Sequence, residues 1–428
     1  MHTFNLSIDD ITKIEGKAGL TVEVKDDKVT KCEFSITEYK RFYTQAIRGK
    51  DVVGLPQLTS RICGTCSNAH ILCCIKAVEN GLGITVSDQT RILRELVNYG
   101  LLIRDHALHL YVFALPDLLG IDSILDLDEN DPKEREILDD TFAVKAAGNA
   151  LSKVVAGRSI HAPFMMVGGF ARMPDSSQFP LLIKQMESIR PRVLRLIERF
   201  QNCDLMLPQV RNFIALVDPG FTFLSGSVKS SDGKESREDD YGKLLEHTII
   251  PYSEASGYKY DGKIYAVGAL ARLNLNKEAL HVNTIRDTQM VLKRFPSQNI
   301  YDNNLAQAIE ILHSIDKTIE LLSGLTIRPE PVKPVIRKAG VGVGIIEAPR
   351  GSLYYRLEID DVGKVIKGDI VVPTGQNQTG IERSIYEYIS DNLEKDKHEM
   401  VHQIEKIVRS YDPCMSCASH FLKVNWTG

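Results

Sequence analysis

Two C-x-x-C pairs stand near opposite ends of this 428-residue chain. Cys63 and Cys66 lie in Arg61-Ile62-Cys63-Gly64-Thr65-Cys66-Ser67-Asn68-Ala69-His70, and Cys414 and Cys417 lie in Asp412-Pro413-Cys414-Met415-Ser416-Cys417-Ala418-Ser419-His420. A C-x-x-C turn brings two sulfurs within reach of one metal ion, so two pairs can supply four thiolates. For one shared site, the fold must bring both ends of the chain to one place. Four thiolates select zinc, copper(I), an iron–sulfur cluster or nickel. A structural zinc staple is the plain alternative, but its pairs usually lie within a few tens of residues and need no histidine. Here the pairs nearly span the chain, and each is followed by one, His70 and His420. A thioredoxin-like redox pair would need βαβ surroundings that neither motif has.

The other four cysteines, Cys32, Cys73, Cys74 and Cys203, read as small buried hydrophobes rather than a disulfide framework. The first ten residues alternate like a strand and carry no apolar leader, which points to the cytoplasm. A net charge of -4 without a long basic run argues against nucleic acid as a partner. No apolar run reaches about 18 residues, so no membrane span is expected.

The chain is too long for one ordinary core and predicts subregions packed into a single unit, 1–428. They are an N-terminal β part over 1–60, a helical part with the first cysteine pair over 61–214, and a polar surface excursion over 215–275. A second helical part over 276–330 follows, then a β part leading to the second pair over 331–428. Residues 19–24 and 29–36 alternate around Asp26-Asp27, as in a hairpin. Ser67 should cap a helix running to Asn80-Gly81, and a long helical pattern from Asp88 to Leu115 should end at Pro116. Further helices are expected near 134–156, 178–202 and 278–295. Leu305, Ile309, Leu312, Ile315, Ile319 and Leu322 form one stripe that stops at Gly324. Residues 341–372 read as antiparallel strands turning near Asp360-Asp361. The fold class is α+β: a mainly helical core with small peripheral antiparallel β units.

Asp105 falls on the apolar face that Val97, Leu101 and Leu108 form, so its carboxylate should be buried and needs a cation. Arg104 is the local candidate, and His106 stands beside it. Cys66 precedes a helix N-terminus and lies near Arg61, both of which favour its thiolate.

The paired motif, Arg-x-Cys-Gly-x-Cys-x-x-x-His with Asp-Pro-Cys-x-x-Cys-x-x-His, resembles the large subunit of the [NiFe] hydrogenases, and the resemblance runs along the whole chain. It implies the [NiFe] hydrogenase large-subunit fold and reversible heterolytic cleavage of dihydrogen. It also implies nickel on Cys63, Cys66, Cys414 and Cys417, with Cys66 and Cys417 bridging to an iron held as Fe(CO)(CN)2. Lys13-Ile14-Glu15-Gly16 resembles the element whose glutamate relays protons, so Glu15 would take the proton first accepted at Cys414. Ala348-Pro349-Arg350-Gly351 resembles the loop whose arginine hangs over the open metal position, with Asp105 as its partner and Pro349 and Asp412 close to the cofactor. Val371-Val372-Pro373-Thr374 resembles the loop in which a hydroxyl, here Thr374, bonds an iron cyanide. His70, one helical turn beyond Cys66, would donate to a bridging sulfur.

Two departures stand out. Many family members hold magnesium on a glutamate where this chain has Thr44, leaving His420 and the carbonyl of Ile370 as partners. Family precursors are usually cut after the residue matching His420, whereas this chain continues to Gly428. The short length and the Asp302-Asn303-Asn304 element resemble the cytoplasmic multimeric branch, which includes sulfhydrogenases and enzymes coupled to nicotinamide, deazaflavin or heterodisulfide reduction. With no GxGxxG and no further cysteine cluster, electrons must leave through other polypeptides: an iron–sulfur small subunit, then further electron-transfer subunits. A hydrogen sensor would share these motifs and differ in turnover. A relative of the quinone-site subunit of respiratory complex I would lack the four cysteines.

Overall fold

Helical periodicity in the middle of the chain builds a bundle. In the computed structural model, which describes residues 2–39, 41–209 and 211–419, the helix Asp88–Ala107 packs against Pro132–Ala156 and Asp302–Gly324. The last of these also packs on Phe179–Gln201. The expected Leu305-to-Leu322 stripe is buried apart from the half-buried Ile319, and Gly324 closes the helix. Ser87 caps Asp88–Ala107 by accepting from the Thr90 N–H at 3.1 Å.

Pro116 does not end the helical run. Beyond Ala107 the chain widens into a π-helical stretch, Leu108–Ala114, and continues as Leu115–Leu119 to Gly120, which takes φ 70°. Pro116 lies in the first turn of that last stretch, where a missing N–H costs little. The helix Ser67–Leu82 is likewise capped one residue earlier than expected, by Cys66. The Ser67 hydroxyl instead accepts from the His161 N–H at 2.9 Å.

The N-terminal sheet is the expected hairpin, Ala18–Lys25 and Lys28–Ile36, plus Phe4–Ile8 on its free edge. Asp26 and Asp27 turn it at φ 50° and 61°, the left-handed pair that a two-residue hairpin turn requires. A second antiparallel sheet, Gly340–Ala348, Gly351–Ile359 and Val365–Val371, lies against Ser67–Leu82. Contact there depends on glycine. A methyl group on Gly342 would stand 1.9 Å from the Ala77 carbonyl oxygen and 2.5 Å from the Gly81 nitrogen, both backbone atoms of that helix. Gly342→Ala is therefore expected to push helix and sheet apart and to lower stability by at least about 1–3 kcal/mol, read as an earlier unfolding midpoint in denaturant.

The stretch expected to be a surface excursion, 215–275, is exposed along much of its length but carries a buried core of its own. Asn212–Val217 is buried throughout and pairs with Ser227–Ser230 on one side and Tyr265–Ala266 on the other. Tyr241, Tyr258, Tyr260 and Tyr265 form an apolar cluster with Ile345 and Tyr354 of the second sheet. The segment looked polar because its core is made of tyrosines, two of whose hydroxyls find a buried partner: Tyr241 and Tyr265 both donate to Gln376. The longest exposed run within it is 231–235, with further exposed positions around 219–220, 225–226, 251–252 and 261–263.

The chain ends meet as their motifs demand. Glu15 and Cys414 form a parallel bridge, with the Met415 N–H donating to the Glu15 carbonyl at 2.9 Å. Arg409 straps the two ends together by donating to Asp117 and to the Thr12 carbonyl. Among the described residues, no helix is long and apolar enough to cross a membrane.

Candidate metal centre

Cys63 follows the turn Ser60–Ile62 in extended conformation, and Cys66 caps Ser67–Leu82. Cys414 is extended and caps the short turn Met415–Ala418, which carries Cys417. The four sulfurs lie within 4.8 Å of one another, all buried. Cys63 and Cys414 are 3.3 Å apart, Cys66 and Cys417 3.0 Å, and Cys414 and Cys417 3.0 Å. Four converging soft donors fit a thiophilic metal.

Protons are shared unevenly in this cluster. Hydrogen bonds from the Cys414, Cys417 and Cys66 thiols hold Cys63 well below the usual thiol range. Burial pushes Cys414 and Cys417 well above it. Cys66 is not the favoured thiolate: bonds from Cys414 and Cys417 lower it, but its hydrogen bond with Cys63 and burial leave it raised. Arg61 is exposed and gives no help. Arg104 approaches instead, donating to the carbonyls of Thr65 and, at 2.6 Å, Ser159.

Arg104 is thereby taken, and Asp105 pairs with Arg350, Nη1 to Oδ2 at 2.8 Å. Arg350 Nη2 reaches Asp412 Oδ1 at 3.1 Å. All three are buried. The Asp412 backbone is left-handed, φ 50°, which turns its carboxylate back toward the loop. Asp105 Oδ1 and Arg350 Nε have no hydrogen-bond partner among the described residues. His106 does not assist this pair; its Nε2 faces Glu310 at 3.0 Å.

Glu15 reaches the cluster from the N-terminal side. Its Oε2 lies 3.0 Å from Cys414 Sγ and accepts from the Ser416 N–H at 3.2 Å. Burial, reinforced by the charge at Cys63, raises its carboxyl above the ordinary value. His70 sits 3.6 Å from Cys417 Sγ through Nε2 and 2.8 Å from the Tyr355 hydroxyl through Nδ1. Burial pushes it down to about 4, so at neutral pH it carries one ring proton. We assign that proton to Nε2, facing the sulfur, with Tyr355 then donating to Nδ1. Tyr355, in the middle of Gly351–Ile359, carried no sequence signal for this part. The Thr374 hydroxyl accepts from the Cys414 N–H at 2.9 Å, which leaves its own hydrogen free to donate.

A small cavity opens beside Cys66, Cys414 and Cys417, but not Cys63, and is walled by His70, Pro349, Arg350 and Thr374. The magnesium set fares differently. Thr44 Oγ1 is buried without a partner among the described residues, Ile370 is a buried strand residue paired with Tyr355, and His420 lies outside the described residues, as does the tail after it. Arg41, three residues before Thr44, donates to the Ser416 carbonyl. A neutral hydroxyl close in the chain to a guanidinium does not fit a divalent cation, which seeks carboxylates. Of the remaining cysteines, Cys73 and Cys74 are buried as expected, and burial pushes Cys74 up to about 12. Cys32 and Cys203 are only half-buried, a correction to their reading as core residues.

The geometry has counterparts. A family model described as nickel-dependent hydrogenase matches residues 41–141 and 225–420. The chain is 30% identical to the alpha chain of sulfhydrogenase 2 of Pyrococcus furiosus over 98% of its own length and 100% of that protein. The chain belongs to the nickel-dependent hydrogenase family. This hydrogenase is also 29% identical to one of the subunits of the F420-non-reducing hydrogenase of Methanothermobacter marburgensis, over 97% of this chain and 94% of that one. Among solved structures it superposes on an NAD+-reducing [NiFe]-hydrogenase in the H2-reduced state with a TM-score of 0.83 at 25% identity, covering 98% of this chain and 100% of that one. The [NiFeSe]-hydrogenase of Dm. baculatum, at 22% identity and a TM-score of 0.75 over 98% of this chain and 100% of that one, shows the shared fold. The chain is thus the catalytic part of a hydrogenase, an oxidoreductase acting on dihydrogen.

Proposed function

We propose that Cys63, Cys66, Cys414 and Cys417 hold nickel, and that Cys66 and Cys417 share an iron carrying carbon monoxide and cyanide. The observation that carries this is the placement of the cavity. It borders Cys66 and Cys417, the two sulfurs assigned as bridges, together with Cys414, and Cys63 is not in its lining, which supports a second metal with non-protein ligands on that side. When bound, the nickel–iron pair supplies the two-electron chemistry of dihydrogen. The chain supplies the rest. Cys414 takes the proton and passes it 3.0 Å to Glu15, whose raised carboxyl suits exchange nearer neutral pH. Arg350, held by Asp105 and Asp412, presents a fixed positive charge to the cavity. Thr374 has a hydrogen to give to a cyanide, and His70 donates to Cys417.

Electrons pass to an iron–sulfur small subunit. In support, the relatives are themselves named as single subunits of larger enzymes, and among the described residues the cysteines form one cluster of four. Further electron-transfer subunits complete the complex. The cytoplasm suits thiols that must stay reduced to bind metal. The test is metal analysis with infrared spectroscopy on the complex matured in its own host. Equal nickel and iron with carbonyl and cyanide stretching bands are expected. Zinc alone without such bands would leave only a four-cysteine staple and end this reading.

A further inference from the structure

Arg350 reaches the cavity from the two-residue turn between Gly340–Ala348 and Gly351–Ile359. The backbone of that turn is held from behind by Arg272, a side chain only 2% exposed on the helix Ala269–Asn276. All five of its N–H groups are used. Nε donates to Glu310 Oε1 at 2.6 Å, and Nη2 donates to Glu310 Oε2 at 2.7 Å and to the Pro349 carbonyl at 3.0 Å. Nη1 donates to Glu347 Oε2 at 2.7 Å and to the Ala348 carbonyl at 3.1 Å. Two of the five bonds thus end on the carbonyls immediately before Arg350. The anchors are themselves fixed. Glu310 takes His106 at 3.0 Å, and Glu347 accepts from the Leu216 N–H at 2.8 Å and the Ser352 hydroxyl at 2.6 Å.

The geometry points to Arg272 as a positioning residue that sets where Arg350 stands over the cysteines. It touches neither sulfurs nor cavity, so its effect on turnover passes through Arg350. Only a planar fork satisfies two carboxylates and two carbonyls at once; a lysine, with three donors on one nitrogen, must release part of the set. This rests on the assignment of Arg350 to the site.

The test is a double-mutant cycle on the purified multisubunit enzyme, with Arg272→Lys and Arg350→Lys singly and together. Arg272→Lys is expected to lower kcat for H2 oxidation about 100-fold, the scale of a 1 Å misplacement, with KM and nickel content unchanged. In the Arg350→Lys background the same change should cost less than about twofold, because the group it positions is already gone. Equal losses in both backgrounds, or loss of nickel in Arg272→Lys, would overturn the positioning role and leave the Arg350 assignment standing. An unimpaired Arg350→Lys enzyme would overturn both. If Arg272→Lys does not fold, Glu310→Gln is read by the same criterion. It keeps the shape of the anchor and is expected to cost about 10-fold in the native background and nothing with Arg350→Lys.

Discussion

A Cys417→Ser chain is expected to fold and to emerge from maturation without nickel. Cys417 lies at the heart of the centre, with Cys66 and Cys414 at 3.0 Å each and His70 at 3.6 Å. Serine nearly preserves its shape but replaces a soft thiolate donor with a hard oxygen that nickel takes poorly. Loss of a residue that merely supports a metal ligand costs about 10–100-fold, so loss of the ligand proposed to be shared by two metals should exceed about 100-fold in H2 turnover. Nickel should fall in parallel by elemental analysis. Cys74→Ala provides the control. Cys74 is as buried as Cys417, but it lies outside the cluster of four. That variant should lose some stability and keep its nickel. A Cys417→Ser enzyme with full nickel and turnover would remove the cysteine cluster from the site.

The second large effect belongs to Glu15→Gln. The amide matches the carboxylate in shape and can still accept from the Ser416 N–H, so folding and nickel content should not change. What it cannot do is carry a proton away from Cys414. Removing a positioned acid–base group costs about 10²–10⁴-fold, and that loss is expected in both H2 oxidation and H2 evolution. The pH profile separates this from mere repacking. For H2 oxidation Glu15 must start as the carboxylate, so the native rate should fall as pH drops through its pKa. Because burial raises that pKa, the acidic limb should lie above the ordinary carboxylate range. Glu15→Gln should lose the limb along with the rate. A variant that turns over normally, or keeps the limb, would exclude Glu15 as the carrier.

Parts of the site were legible because they are written as local pattern. Two C-x-x-C turns, each a few bonds long, announce paired sulfurs whatever surrounds them. Asp105 was recognisable as buried and in need of a cation, since it interrupts the stripe of Val97, Leu101 and Leu108. Its partner was not: Arg104 is adjacent in sequence, but helix geometry points it elsewhere, and Arg350 arrives from 245 positions away. Arg61 against Arg104 shows the same limit, since proximity in the chain favoured the residue that proves exposed. Arg272 gave no sign at all, because a single arginine among Ala271, Leu273 and Asn274 looks like any solvated helix position. The tyrosine-lined core around Asn212–Val217 stayed hidden because periodicity arguments count tyrosine as half polar.

By itself, then, the sequence determined which four cysteines come together, the helices with continuous stripes, the N-terminal hairpin and the requirement that the chain ends meet. These rest on backbone hydrogen bonds and side-chain periods that reach only a few residues. Tertiary structure alone decided which cation meets Asp105, which side of the cysteines is open, which tyrosine orients His70, and what holds the Arg350 loop. Those depend on packing between segments hundreds of residues apart, where burial removes water and leaves each charge and donor only the partners that the fold brings to it.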